Sequence, residues 1–225
     1  MSDQTHTHVI PLAEKVLGIN DDVAAATRAD LDGRRIFSVD IIGAPGSGKT
    51  AILEATLRAL KGRRTPAVLV GDLTTRRDGD RLARWCDRVV QISTGQGCHL
   101  EAAQVSDALR AIDLDRVDLL FIENVGNLIC PVGFDLGQSA KVGVFATTEG
   151  EDKAAKHPYL VQAADVLLLN KIDLLRYLQF DRAAFEADTR LLNPTVPVLG
   201  VSATTGEGLD AWLEWLLGQA TTASG

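Results

Sequence analysis

Nowhere in the 225 residues is there an apolar run approaching the roughly 18 to 20 residues needed to cross a bilayer, and the opening Met1-Ser2-Asp3-Gln4-Thr5-His6 has neither a basic n-region nor an apolar h-region. The expected location is therefore the cytoplasm. Cysteine is scarce as well. Cys86, Cys98 and Cys130 are odd in number and widely spaced, which excludes a disulfide framework and leaves free thiols or metal ligands. An excess of positive charge is also missing: the formal charge is -7 and the pI about 5.1, so the surface repels nucleic acid and anionic lipid. There is no internal repeat, low-complexity stretch or Pro/Ser-rich linker, which argues for one domain. With 46% apolar and 24% charged residues, the chain can bury a sizeable core and is far from a disordered composition.

What is present is organised around Gly43-Ala44-Pro45-Gly46-Ser47-Gly48-Lys49-Thr50, which satisfies G-x-x-x-x-G-K-[ST] at every fixed position. An apolar run, Ile36 to Ile42, precedes it and the helix-favouring Ala51 to Leu57 follows, the strand-loop-helix context that a phosphate-binding loop requires. The glycines let backbone N–H groups from Gly43 through Ala51 turn inward, and the helix N-terminus adds its positive end. Lys49 then neutralises the β/γ-phosphates and the Thr50 hydroxyl holds Mg²⁺.

Beyond Gly33, strand patterns at 36–42, 66–71, 88–92, 118–122, 141–146, 165–170 and 196–201 alternate with helical patterns at 49–61, 79–86, 100–112, 154–163, 180–192 and 208–217. Several strands are continuously apolar, as in Val166-Leu167-Leu168-Leu169, which predicts an α/β fold whose mostly parallel central sheet is covered by helices on both faces. Ligands then lie at the carboxyl ends of the strands. Before the sheet, residues 11–31 read as two helical pieces broken near Gly18-Ile19-Asn20, with Asn20 as N-cap of the second. The predicted organisation is a tail and helical segment at 1–32, a nucleotide-binding domain at 33–219 and a flexible tail at 220–225.

The base is predicted from Asn170-Lys171-Ile172-Asp173 at a strand end. One carboxylate at Asp173 accepts from both N1–H and the exocyclic amine of guanine, whereas adenine would leave it unpaired at a cost of roughly 1–3 kcal/mol or more. Asn170 ties the base loop to the phosphate loop, the Lys171 stem covers the base, and a backbone N–H at Ser202-Ala203 meets the guanine O6. Asp72 and Glu123 end two other strands. Both are predicted to share the Mg²⁺ shell with Thr50, with Asp72 also able to orient attacking water. Gly126 offers an N–H to sense the γ-phosphate.

Cys98, His99 and Cys130 have two readings. Two thiolates and an imidazole suit Zn²⁺ or Ni²⁺ if their loops leave the same sheet edge. Alternatively, they are half-buried thiols with a capping or core imidazole, because C-H plus a remote Cys is no metal spacing by itself. Cys86 reads as helix-face packing. His6 and His8, in the tail, are weak indications of metal binding.

Taken together, Gly43 to Thr50, Gly71-Asp72, Gly97 to Ala102, Phe121 to Pro131, Phe134 to Gly137, Thr148 to Lys153 and Asn170 to Leu174 resemble the hydrogenase nickel-incorporation GTPase family HypB. That resemblance implies a slow GTPase of the SIMIBI class of P-loop proteins, binding GTP and GDP and dimerising with GTP. It further implies delivery of nickel to [NiFe]-hydrogenase alongside a HypA-like metallochaperone, with the hydrogenase large subunit as client. It assigns Cys98, His99 and Cys130 to a nickel or zinc site at the dimer interface, and Glu149 to Lys153 to a nucleotide-responsive or dimer surface. The chain departs from the family in three places. Residues 1–10 lack the C-x-x-C-G-C motif and His-rich tract of some members, Ala154-Ala155-Lys156-His157-Pro158 replaces P-L-K-Y-P, and Thr75 to Leu82 varies the usual T-x-x-D-A-x-R-I. Rival readings are a metallochaperone GTPase for urease, which would carry C-P-H in place of Cys98-His99, a P-loop small-molecule kinase, and a metal buffer.

Overall fold

Continuously apolar strands need cover on both faces, and the computed structural model, which describes residues 12–72 and 77–223, supplies it. Seven parallel strands form one sheet: β1 (Phe37–Gly43), β2 (Pro66–Asp72), β3 (Val89–Ser93), β4 (Leu119–Glu123), β5 (Ala140–Ala146), β6 (Val166–Asn170) and β7 (Val198–Gly200). Their order is β3-β2-β4-β1-β5-β6-β7. Strands β1, β4 and β6 are buried at every residue, whereas the edge strand β7 is half-buried and β3 is half-buried up to its exposed last residue, Ser93. β1 pairs with both β4 and β5, so the phosphate loop at its end is flanked by the loops that follow β4 and β5.

The helices are α1 (Leu12–Gly33), α2 (Lys49–Leu60), α3 (Arg77–Leu82), α4 (Ala102–Leu109), α5 (Lys153–Lys156), α6 (Pro158–Ala163), α7 (Arg182–Leu192) and α8 (Leu209–Ala223). Alternation along each strand sorts the core. Val68 and Val70 point towards Leu53 and Leu57 of α2 and Trp212 of α8, while Ala67 and Leu69 join Leu31 of α1 and Val105 of α4. A third cluster packs Phe145 and Leu167 against Leu160 of α6 and Phe185 of α7. Burying one such Leu or Phe side chain stabilises the fold by about 2–3 kcal/mol. Trp212 is the largest fully buried side chain, and its Nε1–H donates to Thr56 Oγ1 of α2 at 2.9 Å. Thr56 in turn donates to the Ile52 carbonyl.

Some predicted boundaries need correction. α1 is one continuous helix through Gly18 and Asn20, so Asn20 does not cap it. A Gly inside a helix costs about 1 kcal/mol, which tertiary contacts of the buried Asn20 side chain outweigh. The single helix expected over 154–163 is two, because the residue before Pro158 is steered out of the α region. Cys86 lies past the end of α3, yet it is buried, its thiol donating to the Pro66 carbonyl at 3.2 Å. Of the flexible tail expected at 220–225, residues 220–223 belong to the last turn of α8, with Ala220 in the core, and 224–225 lie outside the described residues. Among the described residues, no helix is long and apolar enough to cross a membrane. His6 and His8 lie outside the described residues, as do Thr75 and Arg76.

Candidate functional site

The phosphate loop begins where β1 stops, and its glycines are required by crowding as well as by turn geometry. A Cβ on Gly43 would stand 2.7 Å from the Val144 carbonyl oxygen, and Gly46 and Gly48 adopt φ values of +79° and +96°. Ser47 is fully buried, while Ala44 is nearly so and packs into the core. Gly48 precedes Lys49, the first residue of α2, so the helix N-terminus opens on the loop. Lys49 is 7% exposed and donates through Nζ to the carbonyls of Gly43 and Ala44, at 3.0 and 3.4 Å. Burial pushes its pKa down, and the nearby Glu123 works against that shift. A cavity of about 420 Å³ lies over the loop, lined by Gly46, Gly48, Lys49, Thr50, Ala51, Asp72, Glu123 and Gly126 among others.

Glu123, at the end of β4, accepts from Thr50 Oγ1 at 2.6 Å through one carboxylate oxygen, while its other oxygen is buried with no partner. Burial raises its pKa to about 7. A buried acid with one orphaned oxygen beside a hydroxyl fits a hard divalent cation such as Mg²⁺. Asp72 ends β2 on the same cavity wall.

The base-side residues gather behind the loop. Asn170 Nδ2 donates to the Ser47 carbonyl at 2.8 Å, and Asn170 Oδ1 accepts from the Ala203 N–H at 3.3 Å. Lys171 has φ +64° and sends Nζ to the Gly46 carbonyl at 2.7 Å and to Thr148 Oγ1 at 3.2 Å. Asp173 is half-buried in the first turn of a 3₁₀ segment, Ile172–Tyr177. Ser202 is fully buried, its hydroxyl accepting from the Thr205 N–H. Both backbone N–H groups of the pair expected to meet the guanine O6 are engaged within the chain, Ser202 with the Glu207 carbonyl at 2.8 Å and Ala203 with Asn170.

On the other side of the phosphate loop, Cys98, His99 and Cys130 come together with one ligand atom from each within 4.8 Å of the others. Cys98 Sγ is 3.5 Å from His99 Nδ1. The neighbouring Cys130 thiol holds the Cys98 pKa above its ordinary value, and burial lowers that of His99. His99 also lies against the Phe134 ring, with centroids 3.9 Å apart. Two thiols and an imidazole fit a borderline-to-soft ion, and three ligands leave a position for exchange. His157 is not part of this group; Lys153 pairs with Glu149 at 3.7 Å.

The segment after β4 joins the two halves. Gly43 forms a backbone bridge with Asn127, whose side chain donates to the Cys98 carbonyl at 3.4 Å. Gly126 packs on Pro45, where a Cβ would meet the loop at 3.0–3.2 Å. Asn124 is buried and accepts from the Leu100 N–H at 3.1 Å while donating to Asp40 Oδ1 at 3.0 Å.

Residues 38–200 match the CobW/HypB/UreG nucleotide-binding domain family. A hydrogenase maturation factor HypB from Azotobacter vinelandii is 44% identical over 218 residues, covering 97% of this chain and 72% of the relative. The chain belongs to the HypB family. HypB from Archaeoglobus fulgidus has a solved structure with TM-score 0.85 and 36% identity, covering 91% of this chain and all of that one. HypB from Helicobacter pylori, solved in complex with nickel, gives TM-score 0.86 and 31% identity, covering 91% of this chain and 96% of that one.

This HypB-family chain also uses residues that the sequence reading left without a role. Asp40 and Asn124 are buried partners 84 positions apart, and Thr147 donates to the Lys171 carbonyl at 2.8 Å. Asp78 and Arg81 line the phosphate cavity. Asp40 carried a signal as an acid inside an apolar strand, while Asn124, Asp78 and Arg81 lay inside segments compared with the family without a role of their own.

Proposed function

We propose that the chain is a GTP-hydrolysing metallochaperone that couples nucleotide state to nickel delivery during [NiFe]-hydrogenase maturation. The observation that carries this reading is the segment Glu123 to Asn127, which borders the phosphate cavity at one end and contacts the Cys98 loop at the other. The relatives' shared description as hydrogenase maturation factors supports the client.

In this reading the GTP phosphates lie over Gly46 to Ala51, and Lys49 exchanges the Gly43 carbonyl for phosphate oxygens. Asp173 accepts from guanine, while Asn170 holds the base loop to Ser47. Thr50 and Glu123, with Asp72, would hold Mg²⁺, which supplies charge neutralisation between the β- and γ-phosphates. Asp72 orients the water whose oxygen attacks the γ-phosphorus as the bond to GDP breaks, and hydrolysis is slow. Gly126 follows the γ-phosphate and, through Asn127, moves the loop that bears Cys98. Cys98, His99 and Cys130 receive Ni²⁺ or Zn²⁺ as cargo; the working form is a homodimer, with a HypA-like metallochaperone and the hydrogenase large subunit as partners. The described part of residues 1–32, from Leu12 on, is an appendage packed on the nucleotide-binding domain.

The test is nickel titration of the nucleotide-free, GDP-bound and GTP-analogue-bound protein, with oligomer size followed in parallel. The reading expects affinity to differ between the GDP and GTP-analogue forms by at least about fivefold. Equal affinity in all three forms would reject it.

A further inference from the structure

The sequence marks Asn20 as the cap of its own helix, but the folded chain uses it elsewhere. Asn20 is 7% exposed, and its amide faces two distant segments. Its Oδ1 accepts from the N–H of Ala102, the first residue of α4, at 2.9 Å, and its Nδ2 donates to the Asp135 carbonyl at 2.8 Å. Ala102 lies three positions after His99, and Asp135 follows Phe134, whose ring rests against the imidazole. One buried amide on α1 therefore fixes both the backbone that carries His99 and the ring that packs on it.

A second set of contacts makes this attachment tight. Arg28, two turns farther along α1, donates through one nitrogen to both Asp135 carboxylate oxygens, at 2.7 and 2.8 Å. Asp135 Oδ1 also accepts from the Gly137 N–H. Gly137 has φ +83° and sits so close to α1 that a Cβ would stand 2.7 Å from the Ala24 carbonyl oxygen. The 134–138 segment is thus clamped to α1 by side chain and backbone together. Asn20 and Arg28, on α1, lie ahead of residues 38–200, the portion matched to the family domain, whereas their partners Ala102 and Asp135 lie within it.

We infer that Asn20 is a positioning residue for His99, setting the imidazole within the Cys98-His99-Cys130 cluster by holding Ala102 and Phe134 in fixed relation. The inference rests on the metal-binding reading of that cluster. Loss of a hydrogen bond made directly to a ligand weakens metal binding by about 10- to 100-fold; Asn20 acts one step further out, through the backbone at Ala102 and the Phe134 ring, so its loss belongs at the lower end of that range. The clamp also gives α1 a route to the metal: whatever shifts α1 shifts His99.

The experiment compares the full-length wild-type chain with Asn20→Ala, Asn20→Asp and Arg28→Ala, all with GDP bound. The readouts are Ni²⁺ affinity, the absorption spectrum of the Co²⁺-loaded protein, GDP affinity and Tm. Asn20→Ala is expected to weaken Ni²⁺ binding about tenfold and to alter the Co²⁺ spectrum, with GDP affinity unchanged. Asn20→Asp keeps the acceptor for Ala102 but turns a second oxygen on the Asp135 carbonyl, so it is expected to fail in the same direction. Arg28→Ala leaves both Asn20 bonds in place and gives a smaller loss. A fall in Tm with wild-type Ni²⁺ affinity and Co²⁺ spectrum would overturn the inference and reduce the clamp to scaffold. Should Asn20→Ala not fold, unchanged metal binding in both Asn20→Asp and Arg28→Ala would overturn it equally. Failure of the wild-type chain to bind Ni²⁺ is a separate result, seen before any variant is made, and it defeats the metal reading itself.

Discussion

Around the phosphate loop, the groups that shape the site are held by the sheet: Lys49, Glu123 and Asn170 are 7%, 4% and 2% exposed, and each has partners at hydrogen-bond distance. Around the thiols, Cys98 is exposed, Cys130 half-buried, and both sit on loops or short turns. The difference is one of preorganisation. A receptor that must recognise one nucleotide with fixed geometry gains from rigid walls, because little ordering is left to be done on binding. A cluster that must accept an ion and give it up gains from ligands whose mutual distance can change, and from an open coordination position. The segment after β4 belongs to both regions, rigid at Asn124 and bent towards the exposed loop at Asn127.

If the two regions are separable in this way, each should break without the other. Lys49→Ala is expected to slow GTP hydrolysis on the order of 100-fold, measured as phosphate release, while nickel affinity of the nucleotide-free protein stays the same. A parallel loss of nickel affinity would erase the distinction. Cys130→Ala is expected to weaken nickel binding by roughly 100-fold by calorimetric titration, since even outer-shell losses reach that size, and to leave GDP affinity within about twofold. Asp173→Asn sharpens the comparison on the rigid side, raising the GTP dissociation constant at least about tenfold, with an unchanged value rejecting its assignment to guanine.

A separate effect, on stability and not on binding or turnover, concerns Asp40, beneath the shared segment. Burial raises its pKa from 3.8 to about 6, with Lys141 and the hydrogen bond from Asn124 opposing the shift. The folded chain therefore holds this proton more tightly than the unfolded chain. Its contribution is full below about pH 4 and is lost as pH rises through about 6, on the order of 3 kcal/mol in total. Asp40→Asn should flatten the pH dependence of urea unfolding over that window; an identical profile would show that Asp40 does not titrate there.

The strands were legible in the sequence to within a residue or two because continuous runs such as Val166 to Leu169 leave few alternatives once both faces need cover. The phosphate loop was legible because its glycines answer to local geometry. Asn20 misled because an Asn closely following Gly18 reads locally as a helix start, whereas its partners are 82 and 115 positions away. The same distance hid Asp40 and Asn124. The spacing of Cys98, His99 and Cys130 left their meeting undecided; it depends on where the loops after β3 and β4 leave the sheet, which is a property of strand order.

The bond between Trp212 and Thr56 joins positions 156 residues apart. While the chain is being synthesised, α2 can form soon after the phosphate loop leaves the ribosome, but the flank that Trp212 covers stays bare until α8 emerges. A translation product truncated before α8 would carry the complete G-x-x-x-x-G-K-T signature on a helix with an uncovered oily side, prone to digestion or clumping. Motif content alone is therefore a poor guide to which fragments of this chain would work.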